Sequence, residues 1–290
     1  MNASVKQWVA GARPRTLPAA IVPVLIGTAV AVHDGDALWG RAALALLVSL
    51  ALQVGVNYAN DYSDGIRGTD EVRVGPLRLV ATGTKTPAAV KRAAFLCFGV
   101  AMTAGAVLAL LASPWMVLVG GLSVLAAWYY TGGKRPYGYS GFGELAVFVF
   151  FGLVAVMGTV YVQLEHLTWL SLTAAVPAGM LAVALLLVNN LRDRPRDAEV
   201  GKKTLSVRIG DTKTRQLYLG CAALPFVIAF AVAFGNPLVL ITAGALVALV
   251  PPVKMIVAGA NGRDLITVLQ NTGRLQLVFG LLFSIGLALS

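Results

Sequence analysis

Charge is scarce in this sequence. Asp, Glu, Lys and Arg make up 12% of its 290 residues and hydrophobic residues 58%, where an ordinary soluble domain carries roughly 25% charged residues. With a mean hydropathy of +0.78, this excludes a soluble globular fold and leaves a polytopic membrane protein. Cysteine and histidine number two each, so neither a disulfide framework nor a Cys/His metal spacing can be built. Cys97 and Cys221 lie inside apolar runs and read as free buried thiols. His33 and His166 fall at helix ends far from the acidic residues. The first apolar run ends in His33-Asp34-Gly35-Asp36 with no small-residue cleavage site after it, and eight further runs follow, so it is expected to be an uncleaved anchor.

Nine apolar runs have the roughly 17 to 25 residues needed to cross a hydrocarbon core. They cover about 16–33, 38–62, 88–112, 114–131, 142–163, 168–191, 214–234, 237–257 and 266–289, the last interrupted by Arg274. The formal net charge of +10 could suggest nucleic acid, but its distribution points to a bilayer. With nine spans, 22 of the 23 Lys and Arg residues fall on one side and only Arg41 on the other. The positive-inside rule makes the crowded side cytoplasmic, with the N-terminus inside and the C-terminus outside. Lys6, Trp8, Arg13 and Arg15 form a short amphipathic approach to the first span. The outer loops are minimal and the inner ones long and polar, so the chemistry is expected to face the cytoplasm.

The second span runs into Asn57-Tyr58-Ala59-Asn60-Asp61-Tyr62-Ser63-Asp64-Gly65-Ile66-Arg67-Gly68-Thr69-Asp70. Gln53, Asn57, Asn60/Asp61 and Asp64 recur at helical spacing and continue one face of a membrane helix. Carboxylates so close to hydrocarbon are costly and mark a functional site by default. A second polar helix end, Asn189-Asn190-Leu191-Arg192-Asp193-Arg194-Pro195-Arg196-Asp197, comes four helices later. Both ends continue into a basic, Leu-containing segment closed by Gly. An even number of intervening helices makes the two halves parallel. The expected architecture is therefore all-α: one transmembrane domain over 1–290, built of two parallel pseudo-repeats, about 16–131 and 142–257, plus a ninth helix around a shared cavity. Pro195 cannot donate to the carbonyl four residues back, which predicts a kink or an end of the helix near Asp193. Gly99, Gly105, Gly120, Gly121, Gly152 and Gly158 are expected to let helices approach closely.

Several carboxylates and amides beside a dozen basic residues suit a diphosphate held through Mg²⁺, which takes one or two carboxylates plus substrate phosphates, with Arg and Lys supplying further charge. A diphosphate reached from inside a helix bundle implies a lipid tail, hence a polyprenyl diphosphate. A cation-coupled transporter is the alternative of another class. It expects acids near the midplane and access from outside, whereas the three outward acids, Asp34, Asp36 and Glu165, lie in loops and the other ten cluster inward.

At these residues the chain resembles the UbiA-type intramembrane aromatic prenyltransferases. Asn60-Asp61-Tyr62-Ser63-Asp64 is similar to their first aspartate-rich motif and Asp193-Arg194-Pro195-Arg196-Asp197 to the second. Gln53-Val54-Gly55-Val56-Asn57, Arg67-Gly68-Thr69-Asp70, Gly75-Pro76-Leu77-Arg78-Leu79-Val80 and Gly201-Lys202-Lys203-Thr204-Leu205-Ser206-Val207-Arg208-Ile209-Gly210 resemble the branch that prenylates 1,4-dihydroxy-2-naphthoate in menaquinone synthesis. Where the general pattern has a third Asp four residues after Asp64, this chain has Gly68, with Asp70 two residues on.

The resemblance implies transfer of a polyprenyl group from polyprenyl diphosphate to the naphthoate, with loss of carbon dioxide, giving demethylmenaquinone. Other acceptors, 4-hydroxybenzoate or a sugar phosphate, remain open. It implies Mg²⁺, as two ions, held by Asn60, Asp61, Asp64, Asp193 and Asp197, with Asp70 an outlying ligand. Arg67, Lys134, Lys202 and Arg208 are the diphosphate candidates. Asn57, Arg78, Asn190, Tyr58, Tyr62 and Tyr139 are the acceptor-site candidates, while Phe95, Phe148, Phe150 and Leu186 are candidates to line a prenyl tunnel. The partners expected are the two substrates and the bilayer, with no nucleic acid and no protein partner.

Overall fold

A computed structural model describes residues 2–35, 37–69 and 78–290. The helices follow from apolar content: once a segment leaves water, its backbone polar groups must be satisfied internally. In chain order they are α1 (Ala3–Ala12), α2 (Pro18–His33), α3 (Trp39–Ile66), α4 (Pro87–Leu111), α5 (Met116–Tyr129), α6 (Gly143–Val147), α7 (Ala155–Leu164), α8 (Trp169–Glu199), α9 (Leu205–Ala233), α10 (Leu246–Val257) and α11 (Asp264–Leu289). No strand occurs among the described residues. A π-helical stretch, Phe148–Val154, joins α6 to α7 into one span, and a 3₁₀ stretch, Pro237–Ala245, leads into α10.

Seven of these helical segments are long and apolar enough to cross a bilayer, and the pair α1 and α2, bent by 51° at Leu17, makes an eighth. The remaining expected run, 114–131, is helical as α5, but its 14 residues rise only about 21 Å, against a core of about 30 Å. The chain is a multi-pass membrane protein. The main core packs α2, α7, α8, α9, α10 and α11 together, with Phe279, Phe283 and Leu187 fully buried. A smaller cluster ties Tyr58 and Ala59 of α3 to Val90, Ala94 and Phe98 of α4. α5 has no buried residue.

Two sequence expectations change here. Pro195 sits inside α8, which continues to Glu199. Proline removes one donor near the helix end, too little to stop a helix whose apolar stretch is packed on both sides. Of the six glycines expected at close contacts, only Gly152 makes one, its added Cβ falling 2.7 Å from Gly179 Cα, while Gly99, Gly105, Gly120, Gly121 and Gly158 have open space where a side chain would go.

Candidate active site

α3 stays helical through the whole first motif, so Gln53, Asn57, Asp61 and Asp64 are all buried. α8 does the same for the second motif, and the two helix ends meet around one cavity. That cavity is polar, of about 790 Å³, and is lined by Asn60, Asp64, Arg78, Tyr139, Asn190, Arg192, Asp193, Asp197 and Lys202, among others. A second, apolar cavity of about 300 Å³ continues from it. Arg13, Thr16, Asn60, Tyr130 and Asn189 line both. The apolar part follows α3 from Asn60 to Ala45, about 22 Å of helix. Val24, Ala45, Leu108 and Val162 close its far end, with Met116 packed against them. Of the candidates for a prenyl tunnel, Phe150 and Leu186 line its wall. Phe95 instead packs on Trp128 at 4.9 Å, and Phe148 faces Gly179.

Lys202 joins the two acidic ends. Its Nζ lies 3.2 Å from Asp64 Oδ1 and 3.8 Å from Asp197 Oδ1, so these oxygens are within about 7 Å of each other. The same ammonium stands 4.4 Å from the Tyr139 ring centre, and the Tyr139 hydroxyl donates to Asp64 Oδ1. Burial, reinforced by the Asp64 charge, pushes the Tyr139 phenol far above its usual range, so it remains a donor at physiological pH. Arg78 approaches the other Asp64 oxygen at 3.9 Å. Asp193 is gripped by Arg192 at 2.7 and 2.8 Å, and the side-chain Oδ1 of Asn60 accepts from Thr131 Oγ1 at 2.7 Å.

Other expected site residues are turned to structural work. Asp61 lines neither cavity: its two oxygens accept the backbone N–H groups of Leu79 and Val80 at 2.8 and 3.0 Å, which fixes the loop that presents Arg78. Gly65 makes that loop contact possible, since a Cβ there would lie 2.4 Å from Val80 Cγ1. Arg67 donates to the carbonyls of Thr131 and Gly133 and braces the 131–141 loop. Lys134 is exposed and lines neither cavity. Arg208, also exposed, donates to Lys203 O at 3.1 Å.

Tyr58 donates to Trp8 O at 2.9 Å and packs edge-on against its ring. Tyr62 stacks on Trp128 beneath Lys91. Both line neither cavity. Asn57 lines the apolar cavity but spends its amide on Ala12 O and Thr16 Oγ1. Asp70 lies outside the described residues. Among the described residues, no three Asp, Glu, His or Cys side chains converge as a ready-made metal cluster.

Sequence reasoning missed Arg13, which stands in the left-handed region at φ 53° between α1 and the turn before α2 and lines both cavities. It also missed Asn189, Arg192 and Glu144. For Asn189 and Arg192 the signal was present in their place beside the second motif. For Glu144 the signal was an acid at the start of an apolar run.

The profile of the UbiA prenyltransferase family matches residues 20–264. The 1,4-dihydroxy-2-naphthoate octaprenyltransferase of Mycobacterium tuberculosis is 51% identical over 282 residues, covering 96% of each chain. The Escherichia coli protein of the same name is 40% identical over 231 residues, covering 77% of this chain and 75% of that one. Among solved structures, a UbiA homologue from Archaeoglobus fulgidus bound to GPP and Mg²⁺ superposes with a TM-score of 0.69 at 13% identity, covering 98% of this chain and all of that one. A UbiA homologue from Aeropyrum pernix gives 0.70 at 12% identity over 92% and 96%.

Proposed function

Because the chain belongs to the UbiA prenyltransferase family, we propose that it transfers a polyprenyl group from polyprenyl diphosphate to 1,4-dihydroxy-2-naphthoate, releasing diphosphate and carbon dioxide. The product would be demethylmenaquinone at the quinol level, on the route to menaquinone. The observation that carries this reading is the joined pair of cavities, a basic and acidic chamber opening onto an apolar one. An amphiphile with a diphosphate head and a hydrocarbon tail matches both. The names of the M. tuberculosis and E. coli relatives support the naphthoate as acceptor. The charge asymmetry supports a site opening to the cytoplasm and a cytoplasmic N-terminus; the nine crossings in two parallel repeats on which that count rests require the short α5 to cross as well.

The donor set fits Mg²⁺. Hard oxygens from Asn60, Asp64, Asp193 and Asp197 line one chamber, and the Lys202 ammonium between two of these carboxylates marks a point where positive charge is favoured. Mg²⁺ bound by these four residues, completed by substrate phosphate oxygens, would supply Lewis-acid stabilisation of the leaving diphosphate. We assign Asp61 to the loop instead, because both its oxygens are taken.

Lys202 and Arg78 bind the diphosphate and take up the charge that develops as the allylic C–O bond breaks. The electron pair of that bond leaves with the diphosphate. The allylic cation is then held at the neck between the chambers, where apolar walls exclude water. The ring carbon bearing the carboxylate attacks it. Loss of carbon dioxide returns an electron pair to the ring, so carboxylate and cation cancel and no base is needed to remove a ring proton.

The test is competition. Purified protein with Mg²⁺ and labelled polyprenyl diphosphate, offered 1,4-dihydroxy-2-naphthoate and 4-hydroxybenzoate together, is expected to prenylate the naphthoate and release one carbon dioxide per product. Product from 4-hydroxybenzoate alone would overturn the acceptor assignment.

A further inference from the structure

Glu144 has no task in the reaction just described. It lies in the first turn of α6, where the helix dipole favours a carboxylate. Yet it is only 6% exposed at the start of a membrane-spanning segment, a costly place for an acid. Its Oε1 accepts from Asn190 Nδ2 at 2.9 Å, and its Oε2, buried as well, has no hydrogen-bond partner among the described residues. A buried carboxyl group satisfied on one side only contributes little to stability, so its value has to be sought in what it does to Asn190.

Asn190 lies on α8 three residues before Asp193 and seven before Asp197, on the same helix face, and lines the polar chamber. Along the helix axis it stands about 4.5 Å from Asp193 and about 10.5 Å from Asp197. The apolar cavity is reached at the neighbouring Asn189, so a diphosphate head at Asp64, Asp193 and Asp197 would place the reacting allylic carbon close to the level of Asn190. The aromatic acceptor must lie beside that carbon. A carboxylate accepts hydrogen bonds and cannot donate them, so it fixes which end of the Asn190 amide turns toward it.

We propose that Glu144 is a positioning residue: by holding Asn190 Nδ2, it leaves Asn190 Oδ1 facing the chamber as a fixed acceptor for a hydroxyl of the aromatic substrate. This deepens the reading of the site given above and rests on it. A hydroxyl or amide in place of Glu144 could turn either way and would let the Asn190 amide flip.

The experiment measures KM separately for the acceptor and the polyprenyl diphosphate, together with acceptor binding by equilibrium dialysis and thermal unfolding in detergent. The proteins are the full-length wild type, Glu144→Leu, Glu144→Gln, Asn190→Leu and the paired variants. Glu144→Leu is expected to raise the acceptor KM and dissociation constant about tenfold, the equivalent of one hydrogen bond of about 1.4 kcal/mol, with the donor KM unchanged. Glu144→Gln gives a smaller rise, two- to threefold, because it keeps an oxygen for Nδ2. In the Asn190→Leu background neither Glu144 substitution adds a further effect. If Glu144→Leu does not fold, the loss of the smaller Gln effect in that background decides the matter.

An unchanged acceptor KM, an equal rise in donor KM, or additive paired variants would overturn the proposal. The wild-type control checks the acceptor assignment separately. If only 4-hydroxybenzoate is used, that assignment falls and the same KM split, taken with 4-hydroxybenzoate, decides the role of Glu144.

Discussion

Asp61 and Asp64 stand three residues apart on one helix, and the structure gives them different work. Asp61 holds the loop that carries Arg78, and Asp64 faces the chamber between Tyr139, Lys202 and Arg78. An Asn at position 61 can accept only one of the two loop N–H groups, and its own NH₂ meets the other. Leaving a buried donor unsatisfied costs about 1 to 3 kcal/mol, so Asp61→Asn is expected to lower the thermal midpoint in detergent while retaining measurable turnover. A wild-type midpoint would show that the loop does not depend on Asp61. Helical spacing made this pair legible as a polar face, but not the division between them, because the partner that claims Asp61 is a loop almost twenty residues on. Tyr58 and Tyr62 were misjudged for the same reason: Trp8 and Trp128, which engage them, are distant in sequence.

The helices were largely legible, because apolar runs of membrane length leave the backbone few other options. Their interiors were less so. On α5, Met116, Val119, Gly120, Ser123, Ala126 and Ala127 line the apolar cavity at helical spacing, and Ala155, Gly158, Thr159 and Val162 do so on α7. Composition alone reads such glycines as packing contacts. Open space beside Gly120 and Gly158 shows that here they widen a cavity. A leucine at either site should therefore fill tail space without a steric penalty. Gly120→Leu and Gly158→Leu are expected to keep turnover with a geranyl donor and to lose about tenfold or more in kcat/KM with an octaprenyl donor, at an unchanged or raised thermal midpoint. Equal loss with both donors, or a lowered midpoint, would return these glycines to a packing role. The π-helical Phe148–Val154 stretch, of a kind that often marks functional positions, left no pattern in the sequence that we could read.

At the scale of the whole molecule, the sequence showed two acidic helix ends related by an even number of spans, and the structure brings both to one chamber and joins them through Lys202. The 22-to-1 division of basic residues gives the bundle its orientation in our reading. The diphosphate candidates chosen from charge alone were less successful, since Arg67 and Arg208 serve backbone carbonyls and only Lys202 lines the chamber. Basic residues at helix ends are needed for topology whether or not they bind a substrate, so charge by itself could not separate the two uses. The central claim is that Asp64 and Asp193, from different halves of the chain, serve one diphosphate site. Its most direct test is the initial rate of prenyl transfer from labelled octaprenyl diphosphate to 1,4-dihydroxy-2-naphthoate, over a Mg²⁺ titration, for wild type, Asp64→Asn and Asp193→Asn. Lewis-acid stabilisation is worth several kcal/mol, so each variant is expected to lose at least about 10²-fold in rate and to need more Mg²⁺ for half-maximal activity. Undiminished turnover in both variants would contradict the account.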